Sequence, residues 1–176
     1  MKRSYLIIGI ALAAALLITT GFVQSTVFAD NQQLPYKAGG PENVVQEAPH
    51  PDCGPGKLKV EVQGGGQGTY FGDYTIVRHH CFNISDGSIT DGYFEQTAAN
   101  GDMAWGTYMG SFAGVVEADE NGNPTVIMIN SPWEITGGTG RFAGAEGAGD
   151  AVGVFDLVNE TGEFTMDGWI SFDASN

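Results

Sequence analysis

The chain has 176 residues, of which 21 are acidic and 7 basic, and its net charge of −14 is large for that length. A field of that sign repels phosphate groups, so nucleic acid and anionic lipid surfaces are excluded as expected partners. Hydrophobic residues make up 42% of the chain, enough for one packed core, and its 27 glycines favour bent strands over helices.

The first 29 residues have the pattern of an export signal. Lys2 and Arg3 precede an apolar stretch from Tyr5 to Ile18, and Val27-Phe28-Ala29 fits a cleavage site. Cleavage after Ala29 leaves 147 residues with 5 basic and 21 acidic side chains, a net charge of −16. An uncleaved anchor is the alternative, because the apolar character continues to Val23 and approaches the ~20 residues that span a bilayer. We therefore expect a secreted or extracytoplasmic protein, with a membrane role only if this segment is retained.

Residues 30–56 differ in composition from the residues on their C-terminal side. They contain 5 of the 7 prolines and four glycines, a composition typical of a loose arm. The folded domain is accordingly predicted to span residues 57–176.

From Lys57 onward, short runs with strand character alternate with turn residues. The runs are 57–63, 69–83, 89–97, 103–118 (one bent strand or two), 125–135, 151–157 and 163–172. The glycine-rich segment from Gly64 to Gly68 separates the first run from the second. Asn100-Gly101 matches a two-residue hairpin turn in which both residues have positive φ. Seven or eight strands with frequent turns predict a β-sandwich or a barrel. The 21 glycines among these 120 residues favour the barrel, since closure needs bends.

Two cysteines, Cys53 and Cys81, are predicted to form a disulfide, as an even pair in an exported chain usually does. The alternative is two free thiols. Neither lies in a Cys-x-x-Cys pair, so no redox or zinc motif is indicated.

Two stretches carry a resemblance to a known family. They are Thr97-Ala98-Ala99-Asn100-Gly101-Asp102, and Thr136-Gly137-Gly138-Thr139-Gly140-Arg141-Phe142-Ala143-Gly144 with the Gly-x-Phe turns after it. Over roughly residues 64–172 the chain resembles the allene oxide cyclase-like barrel family and is similar to plant dirigent proteins. The resemblance implies an eight-stranded antiparallel, calycin-like barrel with a central apolar cavity. It concerns the turns that define the fold, and no active-site residue of those families aligns here.

Other motifs have a structural and a functional interpretation. Gly138 to Ala143 matches the dinucleotide pattern GxGxxG/A, but no helix can follow it, so we interpret it as a barrel corner with Phe142 in the core. His79 and His80 point to opposite faces of a strand and cannot chelate one metal. Asp119 to Asn123 is interpreted as a hairpin turn and not a calcium loop, because its glycine is misplaced. No metal site and no cofactor are predicted.

Two further sets of residues leave the function open. Asn83 and Asn159 begin glycosylation sequons at predicted turns. Carboxylates such as Asp73 with Glu95, or Asp167 with Glu134, could face each other, although their geometry is not fixed by sequence.

Three functions remain open, and the interior of the barrel separates them. One alternating set of strand aromatics must face inward, drawn from Tyr70, Phe71, Tyr74, Tyr93, Phe94, Trp105 and Tyr108. An apolar cavity would indicate a module that binds a small apolar or aromatic molecule, which is the main hypothesis. A dry cavity with a buried ionisable group would indicate an isomerase or cyclase of the allene oxide cyclase or dirigent kind, and a filled barrel a structural surface component.

Overall fold

The structure, a computed structural model, describes residues 32–173 and is a closed, eight-stranded antiparallel barrel. The strands are β1 Leu34–Pro49, β2 Lys57–Gly68, β3 Gly72–Asn83, β4 Ile89–Ala98, β5 Met103–Ala118, β6 Pro124–Gly138, β7 Glu146–Asp156 and β8 Thr161–Ser171. Each strand pairs with its neighbours in the chain, and β1 closes the barrel on β8. The predicted all-β barrel is therefore confirmed. The predicted export signal, residues 1–29, lies outside the described residues.

The prediction of a loose arm over residues 30–56 was wrong. Residues 34–49 form β1, which pairs with β8 from Leu34–Ile170 to Asn43–Thr161, so the barrel begins well before Lys57. Glycine occurs here because the backbones of β1 and β2 approach closely, and a Cβ on Gly40 would overlap the carbonyl oxygen of Gly65. The same approach explains why Gly64 to Gly68, expected to interrupt the sheet, belongs to β2.

The hairpin between β4 and β5 differs in detail from its prediction. The Gly101 N–H donates to the carbonyl of Ala98, and the Ala98 N–H donates to the carbonyl of Asp102. Gly101 has φ +88°, whereas Asn100 is not among the residues with positive φ. The loop thus has three residues with one left-handed glycine, a common alternative to the two-residue turn. The following segment is a single strand, β5, with several register shifts.

One end of the barrel is filled by aromatic side chains. Phe142, fully buried, comes from a 3-10 turn at Gly140–Phe142 and stacks on Phe71 at 4.0 Å between ring centroids. Tyr36 packs edge-on against Trp133 at 5.4 Å, and its hydroxyl donates to Gln96 at 2.8 Å. The predicted barrel corner with Phe142 in the core is confirmed, and it closes this end.

Candidate functional site

The opposite half of the barrel encloses an apolar cavity of about 100 Å³ that is open to solvent. Its walls are inward-facing side chains of β2, β6, β7 and β8, mainly Val60, Val62, Ile127, Ile129, Phe155 and Phe164. The sequence analysis left a filled core and a ligand cavity as alternatives. The structure combines them, since aromatic residues fill one half and the cavity occupies the other.

An ion pair lies at the inner wall of this cavity, midway along its strands. Arg78 Nη2 of β3 is 3.0 Å from Glu42 Oε1 of β1. Both side chains line the cavity, and the residues are only 6% and 3% exposed. The guanidinium carbon of Arg78 lies 5.0 Å from the ring centre of Phe164 and 5.6 Å from that of Tyr108. Two aromatic rings thus hold the cation in place and reduce the cost of burying it.

The ion pair is not fully compensated by the protein. Glu42 Oε2 and Arg78 Nε are both buried and have no hydrogen-bond partner within the described residues. Burial raises the pKa of the Glu42 carboxyl above its ordinary value, and the positive charge of Arg78 opposes that rise. An ion pair in this state is poor evidence for a purely stabilising role, because desolvation offsets much of its attraction.

A second polar pair borders the cavity beside the first. His80 Nδ1 and the Tyr108 hydroxyl are joined by a 2.7 Å hydrogen bond, with the two rings edge to face. Burial raises the pKa of Tyr108, so its hydroxyl stays protonated at neutral pH. Burial, helped by the nearby Arg78 charge, lowers the pKa of His80 to about 4. Both side chains are therefore neutral at pH 7.

The low pKa of His80 predicts that acid weakens the fold. Below pH 6.5 the unfolded chain takes up a proton on His80, whereas the folded chain does so only near pH 4. The free energy of unfolding should therefore fall by about 2 kcal/mol between pH 7.5 and 5 from this residue alone. Urea unfolding of the wild type and of His80→Gln at both pH values measures this, and the variant should lose about 2 kcal/mol less. Equal losses in both proteins would contradict the assignment.

That comparison is necessary because other groups titrate as well. The raised pKa of Glu42 acts in the opposite direction, since its protonation on acidification favours the folded state. Hydrogen bonds from neighbouring residues lower the pKa values of Asp86, Asp119 and Asp156, whose effects on stability begin only near pH 3.8. Both contributions are common to the wild type and His80→Gln.

The structure divides the aromatic candidates between the two faces of the sheet. Phe71, Tyr74, Phe94 and Tyr108 are buried inside the barrel, and of these only Tyr108 lines the cavity. Tyr70 and Tyr93 are exposed, and Trp105 lies on the outer face of β5, opposite Glu95. Strand alternation sorts these side chains, as expected, but the sequence did not indicate which set faces inward.

Apart from His80, the charged and metal-binding candidates lie away from the cavity. His79 lies on the outer face, 3.9 Å from Glu61, so the prediction that the adjacent histidines point to opposite faces is confirmed. Asp73, Glu95, Asp167 and Glu134 are all exposed, and neither proposed pair is opposed across the sheet. Within residues 32–173, no three metal-binding side chains are grouped to hold an ion.

The turn candidates are placed as predicted. Asp119 closes the β5–β6 hairpin, because its carboxylate accepts hydrogen bonds from the N–H groups of Asn121 and Asn123. Asn83 and Asn159 border turns, and their glycosylation remains a prediction.

The predicted disulfide between Cys53 and Cys81 is confirmed. It ties the connection between β1 and β2 to β3, close to the cavity residues His80 and Phe82. A disulfide of this kind indicates an oxidising, extracytoplasmic compartment. Within the described part of the chain, no helix has the length and apolar character needed to cross a membrane.

Sequence reasoning missed the ion pair of the cavity, Glu42 and Arg78. Glu42 fell in the segment interpreted as an arm, although Tyr36, Ala38, Gly40 and Glu42 follow the alternation of a strand. Arg78 continues the inward series of Tyr74 and Ile76, where an arginine at an apolar position signals a buried charge. Comparison of the chain with protein-family models, with curated proteins and with solved structures finds no match.

Proposed function

We propose that this chain is an exported barrel that binds a small apolar or aromatic molecule in its open half. The observation that carries the proposal is the apolar cavity that reaches solvent at one end of the barrel. Its volume of about 100 Å³ is on the scale of an engineered protein cavity of roughly 150 Å³ that binds benzene. The cavity is open, so a bound molecule can also extend beyond it.

The rim of the barrel supports this proposal. Phe112 and Val115 of β5 pair with Ile129 and Ile127, so they share the face that lines the cavity, yet they are 43% and 50% exposed. They are exposed because the pairing of β4 with β5 ends at Gly110, so no neighbouring strand on the β4 side covers β5 beyond that residue. Apolar side chains grouped at the mouth of an apolar cavity are typical of a ligand entrance.

Filling the cavity is expected to abolish binding. Val62→Phe places a ring in the cavity, whereas Val152→Phe adds the same atoms on the outer face, where Val152 is 43% exposed. Toluene binding, followed by NMR shifts of cavity residues, should weaken at least tenfold in Val62→Phe and stay unchanged in Val152→Phe. Thermal unfolding verifies that both variants fold. Equal toluene affinity in folded Val62→Phe would place the site elsewhere.

An isomerase or cyclase is the second candidate, in keeping with the resemblance to allene oxide cyclase-like and dirigent proteins. It stands second because the cavity is open to solvent and is therefore not the dry cavity expected of such an enzyme. It is favoured by the buried ionisable groups Glu42, His80 and Tyr108, whose pKa values are all shifted beside the cavity. Native mass spectrometry of protein from its own host detects a retained molecule, and liquid chromatography of that molecule after incubation with fresh protein separates the candidates. A binding module retains one molecule that incubation leaves unchanged, whereas an enzyme converts it to an isomer of equal mass and different retention time.

A further inference from the structure

We infer that the cavity selects uncharged molecules carrying one group that both donates and accepts hydrogen bonds, such as an alcohol or a primary amide, placed against the Glu42–Arg78 pair. This inference rests on the proposed function and names the chemical class of its ligand. Its basis is the unmet hydrogen-bonding capacity of two buried charged side chains in the wall of the cavity.

The two unpartnered atoms need opposite hydrogen-bonding partners. Glu42 Oε2 is an acceptor and needs a donor, whereas the Arg78 Nε–H is a donor and needs an acceptor. Nη2 of Arg78 already faces Glu42 Oε1 and Met166 Sδ, and aromatic rings lie near the guanidinium. A hydroxyl or a primary amide carries both a donor and an acceptor, the two functions that these atoms need. Both atoms are covered, so a small rotation of the side chains accompanies binding.

The charge of the site argues against ionised ligands. Glu42 and Arg78 neutralise each other, and the walls around them are apolar, so a third charge would be buried without a counter-charge. A carboxylate that reached Arg78 would also meet the like charge of Glu42, and an ammonium group that reached Glu42 would also meet the like charge of Arg78. The net charge of the chain, −14, further disfavours anions.

Four ligands of similar size test the inference on the full chain at pH 7: benzyl alcohol, toluene, benzoate and benzylammonium. Isothermal titration calorimetry should show benzyl alcohol binding about tenfold more tightly than toluene, with neither ion binding. Toluene binding as tightly as benzyl alcohol, or benzoate binding most tightly, would overturn the inference while leaving the proposed function intact. If none of the four binds, the proposed function fails as well.

Glu42→Gln should change the preference of the cavity. It leaves Arg78 as an unpaired cation, so benzoate should bind at least tenfold more tightly than to the wild type, and benzyl alcohol should lose its advantage over toluene. Glu163→Gln, at an exposed position of β8 that does not line the cavity, is the matched control and should leave all four affinities unchanged. If folded Glu42→Gln still rejects benzoate, the pair does not set the selectivity. If Glu42→Gln does not fold, the relative affinities of the wild type for the four ligands decide whether the inference holds.

Discussion

Replacing Arg78 with methionine is expected to lower the free energy of unfolding by about 3–5 kcal/mol at pH 7, because it leaves the buried Glu42 carboxylate without its counter-charge. Methionine keeps much of the length of the side chain, so the loss reports mainly the removed charge. Urea denaturation monitored by tryptophan fluorescence measures it.

The double variant Glu42→Leu with Arg78→Met separates the charge from the packing. Removing both ions removes both desolvation penalties, so the double variant should lie within about 1 kcal/mol of the wild type or exceed it. A cycle with the two single variants gives the coupling energy of the pair. A single variant as stable as the wild type would show that the pair is solvated, contrary to its burial. A stable double variant that no longer distinguishes benzyl alcohol from toluene would indicate that the pair is kept for ligand selection and not for stability.

Much of the barrel could be predicted because its signals are local. In β8, buried Phe164 and Met166 alternate with exposed residues, and Asn100-Gly101 marks a hairpin within one turn. The disulfide followed from a count of two cysteines in a chain with a predicted export signal. Each of these inferences needed only neighbouring residues or composition.

The parts that were missed depend on partners far apart in the chain. β1 was assigned to an arm because its glycines and prolines disfavour isolated strands, whereas its stability comes from pairing with β8, as in Leu34 with Ile170. The cavity requires Glu42 and Arg78 to meet across the interior, and sequence spacing does not show that. Nor could the sequence show that Phe142 and Phe71 fill one end and so leave the other open.

Loss of the disulfide should destabilise the barrel by about 3.6 kcal/mol. The value follows from the 28-residue separation of Cys53 and Cys81, since the bond restricts the unfolded chain by the entropy of that loop. Urea denaturation of Cys53→Ser with Cys81→Ser, compared with the oxidised wild type, measures it. Reductant should lower the stability of the wild type by a similar amount and leave the double variant unchanged.

Toluene affinity shows which state the disulfide acts on. A bond that acts on the unfolded chain lowers stability without altering the folded cavity, so the double serine variant should bind toluene like the wild type at temperatures where it is folded. The bond nevertheless lies beside His80 and Phe82, which line the cavity. A folded variant with weaker toluene binding would therefore show that the disulfide shapes the mouth directly, and the entropic account would be insufficient.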